Sequence, residues 1–323
     1  MKTIKTLLAG CVLATLGMAA APALAWPDKP VTLVVPYPAG GGVDPVARLV
    51  GQKLAERWKQ PVIVSNRPGA SGSIGAAYVA RAQPDGATIM MSAASEVAIN
   101  QFFMPQLQYD AAKDLAPVTL VLRLPFILAA STTMPYSTVE ELVDYARKNP
   151  GKVSYASSGV GSAQHLAGAL LEQVAGVQMN HVPYKGVAPA TSDLLAHQVD
   201  IGFVGMPTGL PHVRDGKLKG LAVSSAQASP AAPDIPPVAA TSGLEKFELT
   251  QWFGVFMPAG TPADIIAQVQ RDMAAVLAMP DVSRTLRDQG AEPSGMSTEE
   301  FKAFLDSERG KFGRIAKTMG VRP

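Results

Sequence analysis

Cysteine is nearly absent: Cys11 is the one thiol in 323 residues. A disulfide framework is therefore excluded, and with it the small secreted scaffolds that rely on bridges. A cysteine-ligated zinc site is excluded for the same reason. Charged residues make up only 17% of the chain and form no block of one sign. A disordered polymer would be charge-rich and apolar-poor, and a nucleic-acid surface would need a basic patch. The four histidines, His165, His181, His197 and His212, never fall at His-x-x-x-His or His-Glu-x-x-His spacing, so no metal motif is present. No Gly-x-Ser-x-Gly elbow and no Gly-Lys-Ser/Thr phosphate loop occurs, and Gly40-Gly41-Gly42-Val43-Asp44-Pro45 lacks the last glycine of the dinucleotide fingerprint. Beyond the first 25 residues the one long apolar stretch, Leu115 to Ala130, is broken by Pro117, Arg123 and Pro125, too soon to span a bilayer. What remains is a chain 47% hydrophobic, long enough for two domains that each bury a core.

The N-terminus has its own logic. Lys2 and Lys5 open it, Leu7 to Ala21 is uncharged and mostly apolar, and Ala23-Leu24-Ala25 has the small-x-small form of a cleavage site. That pattern predicts a secretory signal peptide over 1–25, cut before Trp26. Lipidation at Cys11 is the competing reading. Only Leu7 to Gly10 precede that cysteine as an apolar run, and the apolar core continues past it. Losing Lys2 and Lys5 takes the basic residues from 28 to 26, level with the 26 acidic ones, and losing Cys11 leaves no thiol. A neutral, cysteine-free exported chain suits the periplasm of a Gram-negative bacterium.

Short β-branched runs then alternate with amphipathic ones. Val31–Val35, Val62–Val64 and Thr88–Ser92 read as strands; helices are predicted to begin after Gly42, over about 73–82, and after Ser137-Thr138-Val139-Glu140, which reads as a capping box on Ser137. Val153–Ser157, Met179–Val182, Asp200–Val204 and Leu218–Val223 are the second set of strands, with helices over 163–175 and 187–197. Ala226–Pro237 reads as an exposed connection. Thr261 is expected to cap a helix with Pro262 at its first position, and Ser297-Thr298-Glu299-Glu300 is a second capping box. Near-continuous apolar strands separated by helices predict buried, mainly parallel sheets flanked by helices: an α/β fold in two lobes with a cleft between them.

Three predicted strand-to-helix turns are rich in Gly and Ser: Tyr37–Asp44, Asn66–Gly75 and Ser157–His165. A helix start at the carboxyl edge of a parallel sheet presents amides without intrahelical partners, at the positive end of the dipole, and so favours anions. Gly and Ser are also ordinary turn formers, so one such turn says little; three point to binding. Catalysis has weaker support. Ser71 or Ser162 paired with His165 would make a hydrolase of an exported chain, yet the usual spacing signatures are missing. His165 lies in the first turn of a predicted helix, either lining the cleft or capping local structure. Arg67 and Lys185 flank the turns and read first as partners in ion pairs. Trp58, Trp252 and Phe253 read as packing.

The whole set of motifs resembles a known family, the extracytoplasmic solute-binding receptors of tripartite tricarboxylate transporters (the Bug or TctC proteins). The resemblance rests on Tyr37-Pro38-Ala39-Gly40-Gly41-Gly42-Val43-Asp44, on Asn66-Arg67-Pro68-Gly69-Ala70-Ser71-Gly72-Ser73-Ile74-Gly75, and on Pro84-Asp85-Gly86. Asp114-Leu115-Ala116-Pro117-Val118, Val182-Pro183-Tyr184-Lys185-Gly186, the run Asp193 to Asp200 and Pro258-Ala259-Gly260-Thr261-Pro262 extend it over nearly the whole chain after the signal. Ala87 departs from the pattern, where an aromatic is usual, at a position that reads as structural.

The resemblance implies a Venus-flytrap fold of the type II-like periplasmic-binding class. Lobe 1 would be discontinuous, 26–123 and 251–323, and lobe 2 would be 124–250. It implies a small carboxylate ligand (a di- or tricarboxylate, an acidic amino acid or an aromatic carboxylate) held largely by main-chain amides and waters. The implied contacts are Tyr37, Ala39, Gly40, Gly41, Asp44, Ser71, Gly72, Ser73 and Ser92 in lobe 1. In lobe 2 they are Ser157, Ser158, Gly161, Ser162, His165, Pro183, Tyr184, Lys185, Gly186 and Asp200. A large and a small membrane subunit would be the partners of a monomeric receptor, with no metal, cofactor or nucleic acid. A receptor that reports ligand to a sensor fits the same motifs.

Overall fold

The computed structural model describes residues 26–320. The predicted signal peptide and Cys11 lie outside the described residues. The strands are β1 (Val31–Val35), β2 (Val62–Asn66), β3 (Thr88–Ala93), β4 (Leu115–Leu124), β5 (Phe126–Ser131), β6 (Ser154–Ser157), β7 (Asn180–Pro183), β8 (Ile201–Gly205), β9 (Leu218–Val223), β10 (Gln251–Pro258) and β11 (Glu292–Pro293). The helices are α1 (Val43–Trp58), α2 (Ser73–Ala80), α3 (Asn100–Phe103), α4 (Val139–Lys148), α5 (Ala163–Ala175), α6 (Val187–Leu195), α7 (Met206–Arg214), α8 (Ala263–Leu277), α9 (Pro280–Asp288) and α10 (Thr298–Thr318).

Two sheets result. The first has the order β11-β4-β10-β3-β1-β2 and the second β7-β6-β8-β5-β9. Both are mixed, which corrects the expectation of mainly parallel sheets. In the first, β1 runs parallel to β2 and β3, while β10 is antiparallel to β3 and β4. In the second, β6 runs parallel to β7 and β8, while β5 is antiparallel to β8 and β9. The cause is the way the chain changes sheets. Only Pro125 separates β4 in the first sheet from β5 in the second, and the chain returns through β10. Ser224 ties that crossing together: its hydroxyl accepts from the Phe126 amide at 2.8 Å, and its carbonyl accepts from the Leu249 amide at 3.1 Å.

Strand alternation divides the core. Val31, Leu33 and Val35 face the side packed by Val50 and Leu54 of α1 and Val269 and Met273 of α8. Val34 faces the other side, with Ala76 and Val79 of α2 and Phe301 and Phe312 of α10. A strand covered on both faces needs apolar residues on both, which is why these read as continuous runs.

Local details depart from the sequence expectation in three places. The α4 cap is Thr138, whose hydroxyl accepts from the Glu141 amide, while the Glu141 carboxylate accepts from the Ser137 amide one residue before the cap, so a single cap bond replaces the expected box on Ser137. Thr261 does not cap α8; its hydroxyl donates to the Pro258 carbonyl at 2.8 Å, closing the preceding turn. The Ala226–Pro237 connection is not simply exposed, since Ser229, Ala232 and Ile235 are buried against the second sheet. The capping box at Ser297 forms as expected.

Packing at the sheet centre yields a stability test. A Cβ at Gly254 would lie 2.4 Å from Phe301 Cζ, so the ring fills the space the glycine leaves. Phe301→Ala would leave a cavity there and is expected to cost about 3–5 kcal/mol, read as a lower urea midpoint with secondary structure retained. A loss under about 1 kcal/mol would mean the site collapses freely.

Candidate functional site

The first Gly-rich turn leaves β1 at Tyr37 and is held by a buried carboxylate. Asp44 is 3% exposed. It accepts from the Gly40 amide at 3.0 Å, from Arg48 Nε at 2.9 Å and from Asn66 Nδ2 at 2.9 Å. These partners hold its pKa down to about 2, the Arg48 bond contributing most. Asn66 also donates to the Tyr37 carbonyl at 3.1 Å, so the turns after β1 and β2 are knotted together. Asp44 is thus the anchor of the turn, and its carboxylate is fully engaged. Ala39 and Gly40 form the exposed tip. The positive φ, +78°, belongs to Gly40, and a Cβ at Gly41 would lie 3.1 Å from the Pro38 carbonyl.

The second turn is conformationally unusual. Gly69, Ala70, Ser71 and Gly72 have φ of 126°, 46°, 50° and 82°. Left-handed backbone at two consecutive non-glycine residues costs free energy and persists only where neighbours enforce it. Here Asn100 Nδ2 donates to the Ser71 carbonyl at 3.0 Å. Gly72 answers to a different demand from the one its motif suggests. A Cβ there would sit 1.7 Å from Glu96 Oε1. The glycine makes room for a buried side chain behind the turn. Ser73, also buried, opens α2.

Glu96 is 1% exposed, and its Oε1 has no hydrogen-bond partner among the described residues. Its other oxygen accepts from the Ser92 hydroxyl at 2.7 Å. Burial pushes its pKa up to about 7 against the pull of the neighbouring Tyr37 and Ser92 hydroxyls. The Tyr37 phenol is raised well above its ordinary value, by burial first and then by this carboxyl.

The third turn leaves β6 and is braced from behind by imidazoles. The Ser157 hydroxyl lies 2.6 Å from His181 Nε2, and Ser158 donates to Gln164 at 2.9 Å. His165 Nδ1 accepts from the Gly161 amide at 3.1 Å, which places its ring proton on Nε2. The rings of His165 and His181 stack with centroids 3.8 Å apart. Burial lowers both pKa values to about 4. Ser162 caps α5 by accepting from the His165 amide. The neighbouring loop is tied on: the Tyr184 amide donates to the Ser157 carbonyl at 3.0 Å, and its hydroxyl to Asp193 at 2.7 Å. Pro183 ends β7, Lys185 is exposed, and Gly186 begins α6 with φ +123°.

One short segment joins the two groups of turns. The chain from Ser95 through α3 places Glu96 and Asn100 against the second turn and Phe103 against the third. A Cβ at Gly161 would lie 3.2 Å from the Phe103 ring. Ser95–Ile99 is a π-helical turn that runs directly into α3, so positions 96, 100 and 103 follow one another along one helical segment of about 10 Å. The turns therefore converge on one region at the carboxyl edges of β1, β2 and β3 and of β6 and β7.

Some expected residues fall elsewhere. Asp200 precedes β8 at the opposite edge of the second sheet, where its carboxylate accepts from the amide and hydroxyl of Ser154; it braces a strand start, away from the third turn. His165 is 6% exposed and sits behind the turn. Arg67 makes no ion pair among the described residues; its guanidinium stacks 3.6 Å from the Tyr78 ring centroid. The serine–histidine pairings expected of a hydrolase do not form. Ser162 meets the His165 main chain, and Ser71 is held through its carbonyl by Asn100. Serine and histidine side chains meet at two other places, Ser157 with His181 at 2.6 Å across two strands of the second sheet and Ser131 with His197 at 2.7 Å. Glu96, Asn100 and Phe103 were not expected. Their signal was present in the Ser92-to-Phe103 stretch: an acid, an amide and an aromatic at helical spacing directly after a strand end.

Two α/β halves with amide-rich turns converging between them define a solute-binding protein. The comparison with known proteins makes that specific. Residues 46–321 match the profile described as "Tripartite tricarboxylate transporter family receptor", and the chain belongs to that family. It is 36% identical over 291 residues to the "UPF0065 protein in tcbD-tcbE intergenic region" of Pseudomonas sp. strain P51, covering 90% of this chain and 86% of that one. Protein BugT of Bordetella pertussis is 32% identical, covering 97% of this chain and 96% of the relative. Among solved structures, Rpa4515 of R. palustris with adipate superposes with a TM-score of 0.83 at 35% identity, over 92% of this chain and 99% of that one. MatC from Rhodopseudomonas palustris with bound malate gives 0.78 at 30%, over 90% and 99%. The chain is a solute-binding receptor of the Bug/TctC type.

Burial of Glu96 sets a pH dependence of stability. Its folded pKa lies above the unfolded value, so the folded state holds a proton that the unfolded state releases as pH rises through the interval between them. Stability is fully present below about 4.5 and is lost up to about 7, and Glu96→Gln removes that loss. At about pH 8 the variant is expected to exceed the wild type by on the order of 3 kcal/mol, and near pH 4 to match it. Thermal melts across this range check it; parallel curves for the two proteins would contradict it.

Proposed function

We propose that the chain captures a small carboxylate in the periplasm and delivers it to a transporter built from a large and a small membrane subunit. In this reading the signal peptide is cut after Ala25 and the mature receptor acts as a monomer. Its lobes, 26–123 with 251–323 and 124–250, close around the ligand. The observation that carries the reading is the convergence of three helix-start turns, whose amides favour an anion and whose own carboxylate, Asp44, is already engaged. The relatives solved with adipate and with malate support a carboxylate, and point towards a dicarboxylate. No helix among the described residues is long and apolar enough to cross a membrane, so the described chain supplies no helical translocation path.

Recognition in this reading runs through main-chain amides. The donors in this reading are the amides of Ala39, Gly42 and Val43 in the first turn, of Ala70 and Ser71 in the second, and of Ser158 and Val160 in the third, while Gly40, Gly41, Gly72, Gly161 and Ser162 shape the turns with amides bonded inside them. Tyr184, Lys185 and Gly186 border the pocket from the loop after β7. Gly41→Val crowds the Pro38 carbonyl, 3.1 Å from the added Cβ, and so distorts the turn that aims the Ala39, Gly42 and Val43 amides. Charge-assisted bonds are worth about 1.5–3 kcal/mol each, so losing two weakens binding by roughly 10²–10⁴-fold. Lys185→Ala removes one exposed charge, worth at most about 1 kcal/mol. Isothermal titration of both variants with adipate and malate, with folding verified by circular dichroism, is the test. Abolished binding in Lys185→Ala with tolerance of Gly41→Val would overturn the amide mechanism.

A further inference from the structure

We propose that Glu96 makes capture proton-linked: the receptor takes its carboxylate together with one proton, held on the side chain that backs the second turn. The proposal rests on the carboxylate-receptor reading above and adds a residue that sets the charge state the site accepts. Its basis is geometric. Glu96 lies directly behind Gly72, its Oε1 in the space where a Cβ would be, so one thickness of backbone separates this carboxyl from the face where the ligand binds. The oxygen nearest the turn is the unpartnered one.

The groups around it do not neutralise a charge there. Ser92 on β3 donates a neutral hydrogen bond, and the Tyr109 hydroxyl is spent on the Glu96 main-chain carbonyl at 2.6 Å. The Tyr37 phenol, from the first turn, is neutral, and Asn100 of α3 is spent on Ser71. On α10, Arg309 Nε donates to the Val97 carbonyl, while Glu308 is bonded to Trp252 and paired with Lys311. Arg67, beyond the turn, is stacked on Tyr78. None of these supplies a cation to the carboxyl. A carboxylate ligand arriving in front of the turn would face an ionised Glu96 of like sign across low-dielectric protein, which disfavours that state. The balance is simple: ligand anion and solvent proton enter, and the proton rests on Glu96 as the neutral acid.

Titration calorimetry of the mature protein with adipate, malate and benzoate, in buffers of different ionisation enthalpy, reads the proton directly. At about pH 8, where free Glu96 is largely ionised, wild type is expected to take up close to one proton per ligand, and its Kd to rise about tenfold between roughly pH 7 and 8.5. Glu96→Gln, neutral and similar in shape, is expected to take up none and to keep a flat Kd near the wild-type value at low pH. Binding without proton uptake in the wild type, or equal uptake in Glu96→Gln, overturns the proposal while leaving the carboxylate reading intact. Should the variant fail to fold, the wild-type proton count decides alone. Failure of every probe to bind wild type at about pH 6.5 would overturn the carboxylate reading itself, and this inference with it.

Discussion

The stretch from Ser95 to Phe103 is the constraint on which the rest of the site depends. It leaves β3 at the sheet edge and carries three side chains to the turns: Glu96 fills the hole behind Gly72, Asn100 holds the Ser71 carbonyl, and Phe103 packs on Gly161. The left-handed backbone at Ala70 and Ser71 would not persist without such a brace. Nor would the third turn keep its distance from the second. Rigid secondary structure supporting mobile-looking turns is the usual way a fold gives loops a fixed geometry. Here the support is short, and it touches both groups of turns.

Two carboxyls at the same sheet edge show how environment decides chemistry. Asp44 and Glu96 are both almost fully buried. Asp44 receives an arginine, an amide and an asparagine, and its pKa falls to about 2. Glu96 has only the neutral Ser92 and Tyr37 hydroxyls beside it, and burial raises its pKa to about 7. The first is a permanently charged anchor and the second a group that titrates near neutrality. The stacked His165–His181 pair does in the second sheet what Asp44 does in the first, bracing a glycine turn from behind, but with neutral rings in place of charge.

Much of this was legible in the sequence. The strands β1, β6 and β9 and the helix α5 follow directly from apolar periodicity and cap residues, and the three turns were marked by glycine and serine. The resemblance to the receptor family was carried by the same turns. The antiparallel strands were less legible, because β4 and β5 read as one apolar stretch interrupted by prolines, and only the crossing at Pro125 separates them into two sheets. Helix α7 was hidden by Pro207 and Pro211, which local rules count as breakers, although Pro207 lies in its first turn and is tolerated there. The approach of Glu96 behind Gly72 was not legible, because it joins residues 24 apart that no local pattern connects. Asp200 sat in a recognisable motif, yet strand register places it at the wrong end of its sheet.

The central claim is that recognition runs through backbone amides positioned by this scaffold. Amide chemical shifts of the isotopically labelled mature protein, recorded as a carboxylate is titrated in, report on it residue by residue. The account predicts that the largest downfield amide-proton shifts fall at Ala39, Gly42, Val43, Ser71, Ser158 and Val160, the turn positions whose amides are not taken by the bonds inside the turns, with Lys185 little changed. Shifts concentrated at charged side chains, with the amides of all three turns unmoved, would contradict it.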